Sequence, residues 1–103
     1  MTENQKAKCA AIYAHYGAQS QLRQLCEECG ELIQAACKFQ RKKDSERPAA
    51  QELVNLMEEI ADVSIMIEQV SQLFGSKPLS VMIDRKLDRQ LQRMRGEENA
   101  KIY

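Results

Sequence analysis

The sequence predicts an all-α fold, and three observations carry that prediction. Apolar residues recur at three- and four-residue spacing through most of the chain. Strict apolar–polar alternation of the strand type is absent from the first two of these stretches. The breaks between stretches hold residues that stop and start helices: Gly17, Ser45 with Pro48, and Gly75 followed by Pro78. With 103 residues and no Pro-rich or Gly-rich interior segment, a single domain over 1–103 is expected, with its core in about 16–96 and a flexible tail over 97–103.

The first helix is predicted from about Glu3 to Tyr16, where Cys9, Ile12, Tyr13 and Tyr16 share a side and Gly17 supplies a C-cap. The second starts near Ser20 and runs to about Lys43, with Leu22, Leu25, Cys26, Cys29, Leu32, Ile33, Ala36 and Cys37 in one stripe. Ser45 is placed to cap the third helix and Pro48 to occupy its first turn. That helix carries the stripe Leu53, Leu56, Met57, Ile60, Val63, Ile67, Val70 and Phe74, and stops at Gly75. Val54, Ile65 and Met66 lie outside the stripe, and a helix apolar on more than one side is covered on more than one side, by a central position or a subunit interface. Ser76-Lys77-Pro78 opens a fourth helix through Leu79, Met82, Ile83, Leu87, Leu91 and Met94 to Gly96.

Fifteen Lys and Arg offset fifteen Asp and Glu, so bulk charge gives no argument for a nucleic-acid polymer as partner. No apolar run approaches the ~18 residues a membrane-spanning helix requires. The N-terminus from Met1 to Lys6 is polar and leads straight into a helical pattern, which predicts a cytoplasmic protein with reduced thiols at Cys9, Cys26, Cys29 and Cys37. Cys26-x-x-Cys29 lacks the second pair that a zinc site needs, and both cysteines read as small residues of the core.

The informative charge is local. Leu25-Cys26-Glu27-Glu28-Cys29-Gly30-Glu31-Leu32 and Leu56-Met57-Glu58-Glu59-Ile60-Ala61-Asp62-Val63 repeat one acidic pattern at an offset of 31 residues. Glu28 with Glu31, and Glu59 with Asp62, are i,i+3 neighbours on helices. At about 100° per residue both pairs fall at the same angles, on a second face that flanks the apolar stripe and also carries Gln21, Gln24, Ala35, Asn55 and Met66. Glu27 and Glu58 point further toward solvent. Antiparallel packing of the two helices would gather four carboxylates, whose mutual repulsion a divalent cation relieves. An all-oxygen ligand set suits Mg²⁺, or Mn²⁺ in its place. A ferritin-like di-iron site would need Glu-x-x-His motifs, and the only histidine, His15, lies outside both segments.

Glu28-x-x-Glu31 followed by Glu59-x-x-Asp62 resembles the ExxE and ExxD signature of the all-α nucleoside triphosphate pyrophosphohydrolases, the MazG-type superfamily. Glu27-Glu28-Cys29-Gly30-Glu31-Leu32 is similar to that family's EExGEL segment, and Glu59-Ile60-Ala61-Asp62-Val63 to its ExxDV segment. The likeness extends from about Tyr16-Gly17 to Arg89.

The resemblance implies a four-helix MazG-like fold assembled as a helical-bundle oligomer, a homodimer or homotetramer. It implies a hydrolase of nucleotide metabolism that converts nucleoside triphosphates, such as deoxynucleotides or non-canonical nucleotides, to monophosphate and pyrophosphate with Mg²⁺. Carried over by position, Glu28, Glu31, Glu59 and Asp62 would be the catalytic metal ligands. Lys86 and Arg89, one turn apart on the fourth helix, would meet the phosphates, and Met66 would contact the base where some relatives carry an aromatic. Arg41, Lys42 and Lys43 read first as a solvated helix end, with contact to phosphate as the alternative. The alternative is a non-enzymatic helical interaction or regulatory module, for which the acidic face would have no task.

Overall fold

A computed structural model describes residues 1–102, with side chains through residue 100. Among them are four α-helices, α1 (Glu3–Tyr16), α2 (Ala18–Asp44), α3 (Ala50–Val70) and α4 (Ser76–Ile102), and no strand. One 3₁₀ turn, Ser71–Leu73, extends the end of α3. The chain divides into two compact units, Met1–Leu73 and the segment from Phe74 on.

In the first unit, Thr2 opens α1 with a capping box: its hydroxyl accepts from the Gln5 amide at 3.1 Å, and its own amide donates to Gln5 Oε1 at 2.7 Å. Gly17 then serves two helices. At φ +85° it donates to the Tyr13 carbonyl at 2.8 Å, closing α1, and its carbonyl accepts from the Gln21 amide at 3.1 Å, opening α2. For that reason α2 starts at Ala18, ahead of the expected Ser20.

The far end of α2 is closed by a Schellman motif. The Arg47 amide reaches the Lys42 carbonyl at 3.2 Å and the Glu46 amide the Lys43 carbonyl at 3.1 Å. Glu46 occupies the left-handed position at φ 57°, where glycine is usual. Ser45, expected to cap α3, belongs to this closure, its hydroxyl donating to the Lys42 carbonyl at 2.8 Å. α3 begins at Ala50 without a side-chain cap, so Pro48 precedes the helix.

α2 and α3 pack antiparallel along their lengths, and α1 rests chiefly on α3. The face they share is the second face, the one that carries the acids. α2 buries Gln21 and Ala35, and α3 buries Val63, Met66, Gln69 and Val70. Ile33 is 64% exposed and Met57 61%, with Leu22, Leu53, Ile60 and Ile67 also exposed. Val63 and Val70 are buried and Leu25, Leu32 and Leu56 half-buried, but the rest of the apolar stripe faces outward, and the face carrying Glu28, Glu59, Gln21, Gln69 and small Ala35 faces inward. Cys9 is buried on α1 and Cys37 is exposed; of the two cysteines expected in the core, Cys29 is half-buried and Cys26 rides the outward stripe and is exposed.

In the second unit, Gly75 at φ +84° precedes α4. α4 continues through Gly96 to Ile102, past the expected stop, with ordinary helical backbone at Gly96 and open space around its Cα. Tyr103 lies outside the described residues.

Candidate metal centre

Heptad spacing builds the site. On α2, Gln21, Glu28 and Ala35 are successive sevens and point to one side; on α3, Glu52, Glu59 and Met66 do the same. Antiparallel packing matches them in order. Gln69 Nε2 donates to Gln21 Oε1 at the α1 end, Glu28 meets Asp62 and Glu59 in the middle, and Lys42 Nζ lies 3.4 Å from Glu52 Oε1 at the loop end.

Glu28, Glu59 and Asp62 each present one carboxylate oxygen within 4.8 Å of the others. Glu31 stands outside that trio, on the Glu59 side, where both line a cleft of about 190 Å³ with Gln34, Ala35, Lys38 and Asn55. All four acids of the repeated pattern are thus gathered, in two roles: three convergent and one adjacent. Glu27 and Glu58 are exposed.

Two oxygens in this centre are buried without any hydrogen-bond partner, Glu28 Oε2 and Glu59 Oε2. Glu28 Oε1 is served by Gln24 Nε2 at 2.9 Å. A buried unpartnered carboxylate oxygen is costly. The carboxyl of Glu59 is held above its ordinary value, first by desolvation and then by the like charges of Glu31, Asp62 and Glu28; a proton on it also lets it hydrogen-bond Glu31. A hard divalent cation fits these facts. Mg²⁺ takes carboxylate oxygens as ligands, and Glu28, Glu59 and Asp62 are the residues that would hold it.

Met66 is buried, 5% exposed, with its sulfur 3.4 Å from Gln69 Nε2. It lines a cleft of about 390 Å³ on the other flank of the carboxylates, with Tyr16, Gln21, Gln24, Glu28, Asp62 and Gln69 among its walls. Lys86 and Arg89 lie on α4 in the second unit, both exposed. His15 is exposed and meets Tyr16 edge to face at 4.7 Å.

The sequence reading placed Gln21, Gln24 and Asn55 on this face without giving them a task. It passed over Lys38, although seven residues beyond Glu31 is two helical turns and the same side. No family model, curated protein or solved structure matches the chain. No helix of the described residues is long and apolar enough to cross a membrane.

Proposed function

We propose that this protein is a MazG-type nucleoside triphosphate pyrophosphohydrolase, dependent on Mg²⁺, that releases a nucleoside monophosphate and pyrophosphate. The observation that carries the reading is the convergence of Glu28, Glu59 and Asp62 within 4.8 Å, with buried, unpartnered oxygens on the two glutamates. A purely structural acidic face would leave such oxygens in water. The resemblance of the two acidic segments supplies the reaction class.

Glu28, Glu59 and Asp62 would hold Mg²⁺, which supplies charge neutralisation for the triphosphate and acidifies a water. Gln24 fixes the rotamer of Glu28 through its 2.9 Å hydrogen bond. Glu31, exposed and outside the trio, is the carboxylate left free to accept the proton of the attacking water. The cleft beside Met66 offers apolar walls from Ile12, Tyr16 and Met66, and amides from Gln21, Gln24 and Gln69, a composition suited to a nucleobase.

The assembly belongs to the same proposal. The outward stripe of α2 and α3 leaves Ile33, Leu53, Met57, Ile60 and Ile67 in water, and none of the described large side chains is fully buried. Contiguous apolar surface of this kind is covered by association, here as a homodimer or homotetramer.

The test is incubation of the purified chain with a panel of canonical and modified nucleoside triphosphates, with and without Mg²⁺, followed by chromatography. Monophosphate and pyrophosphate should form only with the metal, and Glu59→Gln should abolish them. Pyrophosphate release that persists at full rate in Glu59→Gln would overturn the reading.

A further inference from the structure

The cleft of about 190 Å³ beside Glu31 and Glu59 does not end at the acids. Its far walls are Lys38, Glu52 and Asn55, and the same three residues open a second cleft of about 430 Å³ whose remaining walls include Arg41, Lys42 and Arg47. The groove between α2 and α3 therefore changes sign along its length, from carboxylates to cations. Glu31 to Lys38 is seven residues, about 10 Å along the helix axis.

Four cations line the second cleft against one carboxylate, Glu52, and that carboxylate is paired to Lys42 at 3.4 Å. Among the described residues Lys38, Arg41 and Arg47 have no ion-pair partner. Stabilisation of the α2 C-terminus accounts for cations in the last turn, and Arg41, Lys42 and Lys43 stand there. It does not account for Lys38, upstream of that turn, or for Arg47, beyond the helix. Arg47 is carried back over the helix end by the Schellman closure, in which its amide bonds the Lys42 carbonyl at 3.2 Å. Lys43, on the same turn, is no part of the cleft. The convergence is thus selective for side chains that face the groove.

We infer that this basic cleft is a diphosphate-binding site, which receives the pyrophosphate portion of a triphosphate whose remaining phosphate lies toward Glu31 and Glu59. The identification of the diphosphate as part of a nucleotide rests on the function proposed above; the affinity of the cleft for a diphosphate does not. Arginine and lysine around a concave surface bind multiply charged phosphate oxygens through charge-assisted hydrogen bonds, and Lys38, Arg41 and Arg47 are exposed to receive them. A chain of phosphates laid along the groove would satisfy both ends at once.

The experiment is isothermal titration of the full chain with inorganic pyrophosphate in EDTA, so that no metal contributes, beside the Lys38→Ala/Arg47→Ala double variant and Lys38→Arg. Circular dichroism checks that each variant keeps its helices. Pyrophosphate should bind without metal, weaken at least tenfold in the double variant, persist in Lys38→Arg and Glu59→Gln, and fall as salt is raised. Absence of binding in EDTA, an unchanged affinity in the double variant, or pyrophosphate binding no tighter than sulfate would each overturn the site. If nucleotide turnover fails while pyrophosphate binding depends on Lys38 and Arg47, the enzyme reading falls and the diphosphate site stands. If turnover occurs and the double variant changes neither KM nor pyrophosphate affinity, the reverse holds.

Discussion

The two faces of the α2–α3 pair invert the usual distribution of polarity. The inward face carries Gln21, Gln24, Glu28, Glu31 and Ala35 against Asn55, Glu59, Asp62, Met66 and Gln69, whereas the outward face carries Ile33, Met57, Ile60 and Ile67. Contact between the helices within one chain is made largely by polar, acidic and small residues together with Val63, Met66 and Val70, and most of the large apolar side chains stay exposed. The lesson is that an amphipathic stripe identifies a face that will be buried, not the partner that buries it.

The largest expected effect divides the faces cleanly. On the proposed function, Glu59→Gln should cost about a hundredfold or more in turnover, since it removes a charge that the proposed metal and transition state would both need. In EDTA the same substitution should raise the melting temperature, because the like charges of Glu31, Asp62 and Glu28 oppose ionisation of Glu59 in the folded chain. A variant less active and also less stable in EDTA would show that the inward face is organised for stability. On the outward face, Ile33→Glu with Met57→Glu should convert the proposed oligomer to monomer in light scattering; an unaltered mass would mean that this stripe is not the assembly surface.

Next in size is the amide pair. Gln69→Ala strands the buried Gln21 amide and should cost about 1–3 kcal/mol of stability by denaturant titration, against little for Gln34→Ala on the exposed surface.

The pH response is smaller and has a definite sign. Glu59 titrates above 4.5 in the folded chain, so between 4.5 and its raised value the folded state holds a proton the unfolded chain has lost. Stability in EDTA should fall as pH rises through that window, and the fall should shrink with Mg²⁺ or in Glu59→Gln. The smallest effect belongs to the loop: Glu46→Gly relieves a left-handed residue and should gain about 0.5–1 kcal/mol.

Much of this was legible in the residues. The four helices follow from apolar periodicity and from Gly17 and Gly75, and the gathering of Glu28, Glu31, Glu59 and Asp62 follows from matched register alone. That the acid-bearing faces meet was legible too, but that they do so while most of the apolar stripe stays exposed was not. Periodicity reports where apolar residues lie on a wheel, while the packing of α2 on α3 turns on the closeness that Ala35 permits and on the mutual satisfaction of Gln21 and Gln69, which no single helix displays. The division of the acids into a trio and a neighbour was equally hidden, because Glu28 and Glu31 stand only about 60° apart on a wheel and their roles separate only against α3. Ser45 misled as a cap because one hydroxyl suits either end of a helix, and the left-handed turn at Glu46 decided which.

The amide pair has a consequence for ligand binding. Smooth hydrocarbon faces let one helix slide on another, whereas a buried polar contact has one alignment and fixes it. Gln21 lies two turns from Glu28, and Gln69 two turns from Asp62, so the bond between the glutamines acts as a registration mark for the carboxylates. A slip of a single turn would part all the acids together, and the fault would be felt as lost affinity for the proposed cation while every helix remained intact.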